Sequence, residues 1–314
     1  MRDCPFVVCI VGPTASGKSA LAEEVAKNLH SSVVSVDAMQ VYKGMDIGTA
    51  KVPEHERAVP LLMVDRVNPT QEYSVQLFQR DARLEVDALL AAQKIPILCG
   101  GTGLYLDAVI DQMHFPSGTV GSKSRLMYEQ RAETDGPAAL YQLLCDRDPA
   151  SAELIHPHNV RRVIRALEML DEGVSYAEHH RGLKGRLPYY HALIWGLTMD
   201  RKRLYARIDE RVERMFSMGL IDEARRLKSQ GFEENSTAGQ AIGYREVLLY
   251  LSGKLSQEEA VEAVKQHTRH YAKRQLSWLK RDGRVRWLDM DTMGIEQATK
   301  AILSEIEKGC HESI

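Results

Sequence analysis

The sequence predicts an α/β fold: a parallel sheet covered by helices, with an inserted, mainly helical domain. Three observations predict it. Short, unbroken apolar runs alternate with amphipathic stretches of helical period, as expected for strands buried on both faces and joined by helices. The first run ends in a glycine-bearing loop that leads into a helical pattern. Between residues 115 and 190 the strand-like runs stop and helical stretches take over.

Phe6 to Val11 reads as a doubly buried strand that stops at Gly12-Pro13. Ser19 to Leu29 sets Leu21, Val25 and Leu29 at helical spacing. Val33 to Val36 is a second strand ending at Asp37, and Pro60 to Val64 a third. Ser74 is an N-cap for a helix running to Gln93. Ile95 to Leu98 is a further strand, followed by Gly100-Gly101-Thr102-Gly103. Pro137 to Cys145 and Val160 to Leu170 are helices of the insertion, and His191 to Leu197 returns to strand character. After Asp200 come amphipathic helices, a strand at Val285 to Leu288 and a last helix through Glu307. The expected division is a core of residues 1–114 and 191–314 and an insertion of residues 115–190.

With 41 basic and 43 acidic residues, the 314-residue chain has net charge −2. This excludes a globally basic nucleic-acid coat protein and a strongly acidic disordered chain, but not a local basic face. Apolar residues at 44% and charged residues at 27% suit a soluble enzyme with ample core. Cys4, Cys9, Cys99, Cys145 and Cys310 show no Cys-x-x-Cys spacing, so reduced cytosolic thiols are expected rather than zinc ligands. No apolar run is long enough to cross a membrane. Met1-Arg2-Asp3-Cys4 leads at once into a strand rather than a cleavable signal peptide.

Gly12-Pro13-Thr14-Ala15-Ser16-Gly17-Lys18-Ser19 fits G-x-x-x-x-G-K-[ST] between a strand and a helix. In that context the backbone N–H groups wrap an anion, Lys18 adds a mobile positive charge, and the Ser19 hydroxyl is placed for Mg²⁺. The core is therefore P-loop NTPase-like. The strand Ile95 to Leu98 lacks the terminal aspartate that holds the metal in most NTPases, and only Asp37 sits where a carboxylate reaches the phosphate site. That weakens an ATP-hydrolysing reading without removing it.

Further motifs follow the loop in order: Asp37-Ala38-Met39-Gln40-Val41-Tyr42, Gly48-Thr49-Ala50-Lys51, Gly100-Gly101-Thr102-Gly103-Leu104-Tyr105, Arg161-Arg162-Val163-Ile164-Arg165-Ala166-Leu167-Glu168 and Gln240-Ala241-Ile242-Gly243-Tyr244. As an ordered set, from about Val8 to Leu288, they resemble the bacterial tRNA isopentenyltransferase (tRNA dimethylallyltransferase) family. The resemblance implies a cytoplasmic, monomeric enzyme that uses Mg²⁺. It would move a dimethylallyl group from dimethylallyl diphosphate to N6 of the adenosine 3′ to the anticodon, position 37. The insertion would grip the anticodon stem-loop of tRNA. Two positions depart from the family: Ala38 stands where serine is common, and Asn159 where an acidic residue often precedes the paired arginines.

On this resemblance the P-loop residues hold the donor's diphosphate, and Asp37 takes the proton of the acceptor nitrogen. The competing roles for Asp37 are a metal-shell ligand or a turn cap. Thr14 and Ser16 are expected to hydrogen-bond diphosphate oxygens or the acceptor base. Thr102 is expected to contact the leaving group or tRNA, or to cap the helix after it. Arg207 and Arg211 share a helix face and either hold the diphosphate, with Arg211 favoured, or form a salt-bridged surface with Glu210 and Glu213. Asp37, Ala38, Met39 and Gln40 flank the presumed base pocket, where the Gln40 amide can read a base edge. Arg125, Arg161, Arg162, Arg165, Gln240, Gly243, Tyr244 and Arg245 complete the implied tRNA set.

Independently of the resemblance, Lys265 to Arg286 carries eight basic side chains against Asp282 alone. Lys273, Arg274, Lys280 and Arg281 are the RNA candidates within it, and Tyr271 and Trp278 either stack on bases or, for Trp278, join the core. The bland reading of the run is a solvated face. The functional alternatives are an ATP-dependent small-molecule or nucleoside kinase and a non-enzymatic RNA-binding protein.

Overall fold

The computed structural model describes residues 6–115, 122–182, 187–234 and 236–311. The N-terminal residues 1–5, with Cys4, lie outside them. The chain forms two compact units, residues 1–110 with 188–314, and residues 111–187.

The first unit is built on a six-stranded sheet of order β3-β2-β4-β1-β5-β6, all pairs parallel. Its strands are β1 (Phe6–Val11), β2 (Val33–Val36), β3 (Leu61–Leu62), β4 (Ile97–Gly100), β5 (His191–Thr198) and β6 (Val285–Asp289). β1 is central, and Val7, Val8, Cys9 and Ile10 have no exposed surface, which is why its sequence is an unbroken apolar run. Alternate residues of β1 point to opposite faces, so Val7 and Cys9 join one core cluster and Val8 and Ile10 the other. Helices α1 (Lys18–Asn28), α2 (Val75–Ala91), α3 (Gly103–Ile110) and, after the insertion, α9 (Arg201–Ser217), α10 (Leu220–Ser229), α11 (Tyr244–Leu251), α12 (Gln257–Leu279) and α13 (Ile295–His311) complete this unit. Ser74 caps α2 by accepting the Leu77 N–H at 3.2 Å.

β4 lies two residues further along than the expected Ile95 to Leu98, so Cys99 and Gly100 are strand residues. The reason is Gly100: it pairs with both Val11 and Val36, and a Cβ there would overlap the Val36 carbonyl. A glycine inside a strand marks such a close backbone approach. The expected Pro60 to Val64 strand shrinks to Leu61–Leu62 on the sheet edge.

The second unit holds α4 (Lys123–Thr134), α5 (Pro137–Arg147), α6 (Pro149–Ala152), α7 (Val160–Asp171) and α8 (Tyr176–Gly182). Tyr128, Leu140, Leu144, Val163, Ile164 and Leu167 form its core. Asn159 caps α7 by accepting the Arg162 N–H at 3.4 Å, a job that needs an oxygen but not a charge. The unit spans residues 111–187 rather than 115–190. Tyr189 and Tyr190 both donate their N–H to the Ile110 carbonyl, which ties the return strand to the core. Among the described residues no helix is long and apolar enough to cross a membrane.

Candidate active site

In a parallel sheet the loops after the strands' carboxyl ends collect at one edge. Here Gly12 to Ser19 follows β1, Asp37 follows β2 and Thr102 follows β4. Together with α9 and α12 they enclose a cavity of about 450 Å³ lined by Thr14, Lys18, Ser19, Asp37, Gln40, Thr102, Arg211, Tyr271 and Gln275 among others. Val52, Val212, Met215, Ile242 and Val264 supply apolar wall.

The phosphate loop curls because Ala15 and Gly17 take left-handed conformations, φ 63° and 94°. α1 begins at Gly17 without a side-chain cap, so its first N–H groups suit an anion. The Ser16 hydroxyl is buried with no hydrogen-bond partner among the described residues. Lys18 Nζ folds back on the Pro13 carbonyl at 3.2 Å. Burial pushes the Lys18 pKa below the usual lysine range; Arg211 adds to that, while Cys99 and Asp37 oppose it. The Cys99 thiol, buried beside the Ser19 hydroxyl, is pushed up to about 11 and is neutral near pH 7.

The two arginines of α9 divide their work. Arg207 Nε donates to the Ala15 carbonyl at 2.8 Å and so braces the crest of the loop. One turn later Arg211 enters the cavity; burial lowers its pKa and Asp37 raises it. The salt-bridged alternative fails for both, because Glu210 pairs with Arg214 and Glu213 with Lys265.

Asp37 Oδ1 accepts the Met39 N–H at 2.8 Å, so the turn-cap role expected as a competitor exists, and the carboxylate also lines the cavity. Thr102 stands at the start of α3, its carbonyl accepting the Tyr105 and Leu106 N–H groups at 3.0 Å. Its hydroxyl accepts the Ala38 N–H at 3.3 Å and lies 3.5 Å from the Tyr271 hydroxyl. Burial, with the nearby Asp37, pushes Tyr271 up to about 12. The Gln40 amide is fixed at both ends: Ser35 Oγ donates to Oε1 at 2.7 Å and Nε2 donates to the Thr49 carbonyl at 3.3 Å.

Gln275 is the residue the sequence reading missed. Its Oε1 accepts the Thr14 N–H at 2.9 Å and its Nε2 donates to the Gly101 carbonyl at 3.0 Å. It thus ties the phosphate loop to the loop after β4. Its one signal in sequence is the i, i+4 spacing from Tyr271, which puts both on one face of α12.

The basic run resolves into two groups. Lys265 pairs with Glu213 and Glu262, Arg269 with Asp209, Arg284 with Asp282 and Arg286 with Glu305. Lys273, Arg274, Lys280 and Arg281 are exposed, and among the described residues none takes a carboxylate. Trp278 takes the packing alternative: its Nε1 donates to Asp107 at 3.1 Å and its ring fills the space of a missing Cβ at Gly103. Tyr244 and Gly243 are corrections as RNA contacts. Tyr244 is 0% exposed, its ring lies over Gly48, and its hydroxyl donates to Glu223 at 2.5 Å; Gly243 is buried as the start of α11. Arg245 is held by Glu246 at 2.8 Å. Gln240 lines the cavity and donates to the Glu234 carbonyl at 2.7 Å. In the second unit Arg161 and Arg162 are exposed, whereas Arg125 and Arg165 flank the buried Glu168 at 3.6 and 3.9 Å.

The IPP transferase family model matches residues 40–282, and the isopentenyl transferase model residues 5–66. The tRNA dimethylallyltransferase of Carboxydothermus hydrogenoformans is 46% identical over 303 residues, 95% of this chain and 96% of the relative. That of Anoxybacillus flavithermus is 44% identical over 308 residues, covering 97% of each. The crystal structure of tRNA delta(2)-isopentenylpyrophosphate transferase from Staphylococcus epidermidis superposes with a TM-score of 0.72 at 38% identity, covering 97% of this chain and 99% of that one. A eukaryotic dimethylallyltransferase acting on tRNA gives a TM-score of 0.78 at 28% identity, covering 95% and 79%.

Proposed function

The chain belongs to the IPP transferase family, whose curated relatives are tRNA dimethylallyltransferases, and from that premise we propose how its cavity prenylates tRNA. The reaction transfers a dimethylallyl group from dimethylallyl diphosphate to N6 of the adenosine at position 37, 3′ to the anticodon. The observation that carries the reading is one cavity that joins a phosphate loop, a carboxylate and an apolar wall.

In the reaction the allylic C–O bond breaks and an N6–C bond forms, with diphosphate leaving and one N6 proton lost. The loop amides, Lys18 and Arg211 are placed to hold the diphosphate as its charge grows. The Ser16 hydroxyl, without a hydrogen-bond partner among the described residues, is a further donor within the loop. The apolar wall excludes water from the allylic carbon as it becomes positive. Asp37 accepts the N6 proton, since the lone pair of N6 is delocalised into the ring and the nitrogen is a weak nucleophile. Thr102 holds the Ala38 end of the Asp37 turn.

The residues present fit Mg²⁺. Ser19 offers a hard oxygen beside the loop, and Mg²⁺ commonly takes one or two protein oxygens, waters and substrate phosphate. Bound there, the ion would neutralise charge on the leaving diphosphate. The RNA partner is read as the anticodon stem-loop, met by the four exposed cations at the end of α12. The same reading makes the protein a cytoplasmic enzyme acting as a monomer.

The test incubates the protein with Mg²⁺, unmodified tRNA and either labelled dimethylallyl diphosphate or labelled ATP. Label should enter tRNA only from the prenyl donor, at position 37, with release of diphosphate. Transfer of phosphate from ATP to a small molecule, or binding of tRNA without turnover, would overturn the proposal.

A further inference from the structure

Glu223 belongs to none of the motifs that point to the reaction. It is a buried carboxylate on α10, 4% exposed. Its oxygens accept three successive backbone N–H groups: Asp46 at 3.2 Å, Ile47 at 3.0 and 3.1 Å, and Gly48 at 3.3 Å. Tyr244 donates a fourth bond at 2.5 Å. Consecutive amides that converge in this way form an anion nest, and here a side chain from a distant helix fills it.

The loop so anchored carries the Thr49 carbonyl, which accepts from Gln40 Nε2. Lys51 holds the far end, with Nζ on the Tyr42 carbonyl, Asp46 and Asp65 at 3.0, 2.8 and 2.6 Å. The loop cannot drift without taking the Thr49 carbonyl with it. With Ser35 donating to Oε1 and Thr49 accepting from Nε2, the Gln40 amide has a set orientation. It keeps one N–H and one oxygen lone pair to offer to a base. That pair matches the N7 acceptor and N6 donor of adenine. Guanine presents two acceptors on the same edge, so an amide held in this sense rejects it.

We propose that Glu223 is a positioning residue for base selection, acting through the Met45 to Val52 loop on the orientation of the Gln40 amide. The inference rests on the reading of the cavity as the acceptor-adenosine site. Glu223→Gln keeps the size, replaces one acceptor oxygen by a donor that faces N–H groups, and loosens the loop. Leaving such buried donors unpaired should lower kcat/KM for tRNA by about 10-fold. It should also narrow the affinity gap between tRNA carrying adenosine and tRNA carrying guanosine at the target position. Affinity for dimethylallyl diphosphate should stay within about threefold, because the phosphate loop does not touch the nest.

A double-mutant cycle with Gln40→Ala separates this role from a general loss of structure. Once Gln40 is truncated, Glu223→Gln should cause no further loss of discrimination. If Glu223→Gln does not fold, Tyr244→Phe carries the same cycle with a smaller effect, since it removes one of the bonds that seat the carboxylate. Additive effects in the cycle, or a loss of donor affinity equal to the loss for tRNA, would overturn the inference while leaving the reaction intact. A wild-type enzyme that prenylates neither tRNA would overturn the reading of the site, and this inference with it.

Discussion

The four exposed cations Lys273, Arg274, Lys280 and Arg281 should dominate the salt dependence of tRNA binding from this segment. In sequence the segment holds eight basic residues, but Lys265, Arg269, Arg284 and Arg286 are spent on carboxylates. An ion-paired cation releases little counterion when RNA arrives, so it adds little to the slope. Each phosphate neutralised on single-stranded RNA contributes about 0.7 log units of affinity per tenfold salt. Four cations without a carboxylate partner among the described residues then supply a slope of about 3, against about 6 if all eight made contact. Replacing Lys273 and Arg274 together by alanine should flatten the slope by about 1–2 units and weaken tRNA binding. Arg269→Ala, which removes the partner of Asp209, should leave the slope alone. The assay is tRNA affinity by fluorescence anisotropy over a series of salt concentrations. A wild-type slope in the double variant, or equal flattening in Arg269→Ala, would refute the reasoning and move the RNA surface to Arg161 and Arg162.

Asp37→Asn keeps the size of the side chain but removes the proposed proton acceptor. Single-turnover prenyl transfer should fall by about 10²-fold or more with tRNA affinity little changed; a rate within threefold of wild type would exclude the base role. Lys18→Met should weaken donor binding, read by calorimetry, yet stabilise the free protein. The folded-state pKa of Lys18 lies below its unfolded value, so the unfolded chain binds more protons and stability rises with pH through that window. Removing the charge should raise Tm near pH 7 by about 2–4 °C for each kcal/mol relieved, and flatten the alkaline rise; a lower Tm would contradict it. Gly100→Ala should destabilise by about 1–3 kcal/mol or more in urea unfolding, because its Cβ meets the Val36 carbonyl rather than a side chain that can turn away.

The parallel sheet and the phosphate loop were legible because each is encoded locally. An unbroken apolar run such as Val7 to Val11 has no solvent face to alternate toward, and Gly17 supplies the φ of 94° that starts α1. The cap at Ser74 is likewise a property of neighbouring residues. What was not legible depends on contacts across the chain. Arg269 and Asp209 are 60 positions apart, and Lys265 and Glu213 are 52 apart, so a count of charges along the segment overstates its free charge. Tyr244 is implied as an RNA contact by the Gln240 to Tyr244 motif, until Gly48 is seen to vacate the space its ring occupies. Gln275 reads as one polar residue on a basic helix, and only the fold brings it against Thr14 and Gly101. The end of β4 was misplaced for a related reason: glycine signals a break in a sequence, whereas at Gly100 it permits a strand to pass close to its neighbour.

The cavity also shows why its charged residues do not pay their way in stability. Lys18 and Arg211 lie in one partly buried space with Asp37, and burial works against the charged form of both cations. One carboxylate offsets two positive groups incompletely, so the free protein carries an electrostatic cost at its centre. On the proposed reaction, a dianionic or trianionic diphosphate would remove that cost on arrival. The same groups then face a charge that grows on the leaving oxygen, so their attraction strengthens along the reaction coordinate. Arg207 and Gln275 make this possible by holding the loop from the Ala15 carbonyl and the Thr14 N–H. With those braces the loop keeps the shape that fits the anion, and its reorganisation need not come out of the binding energy.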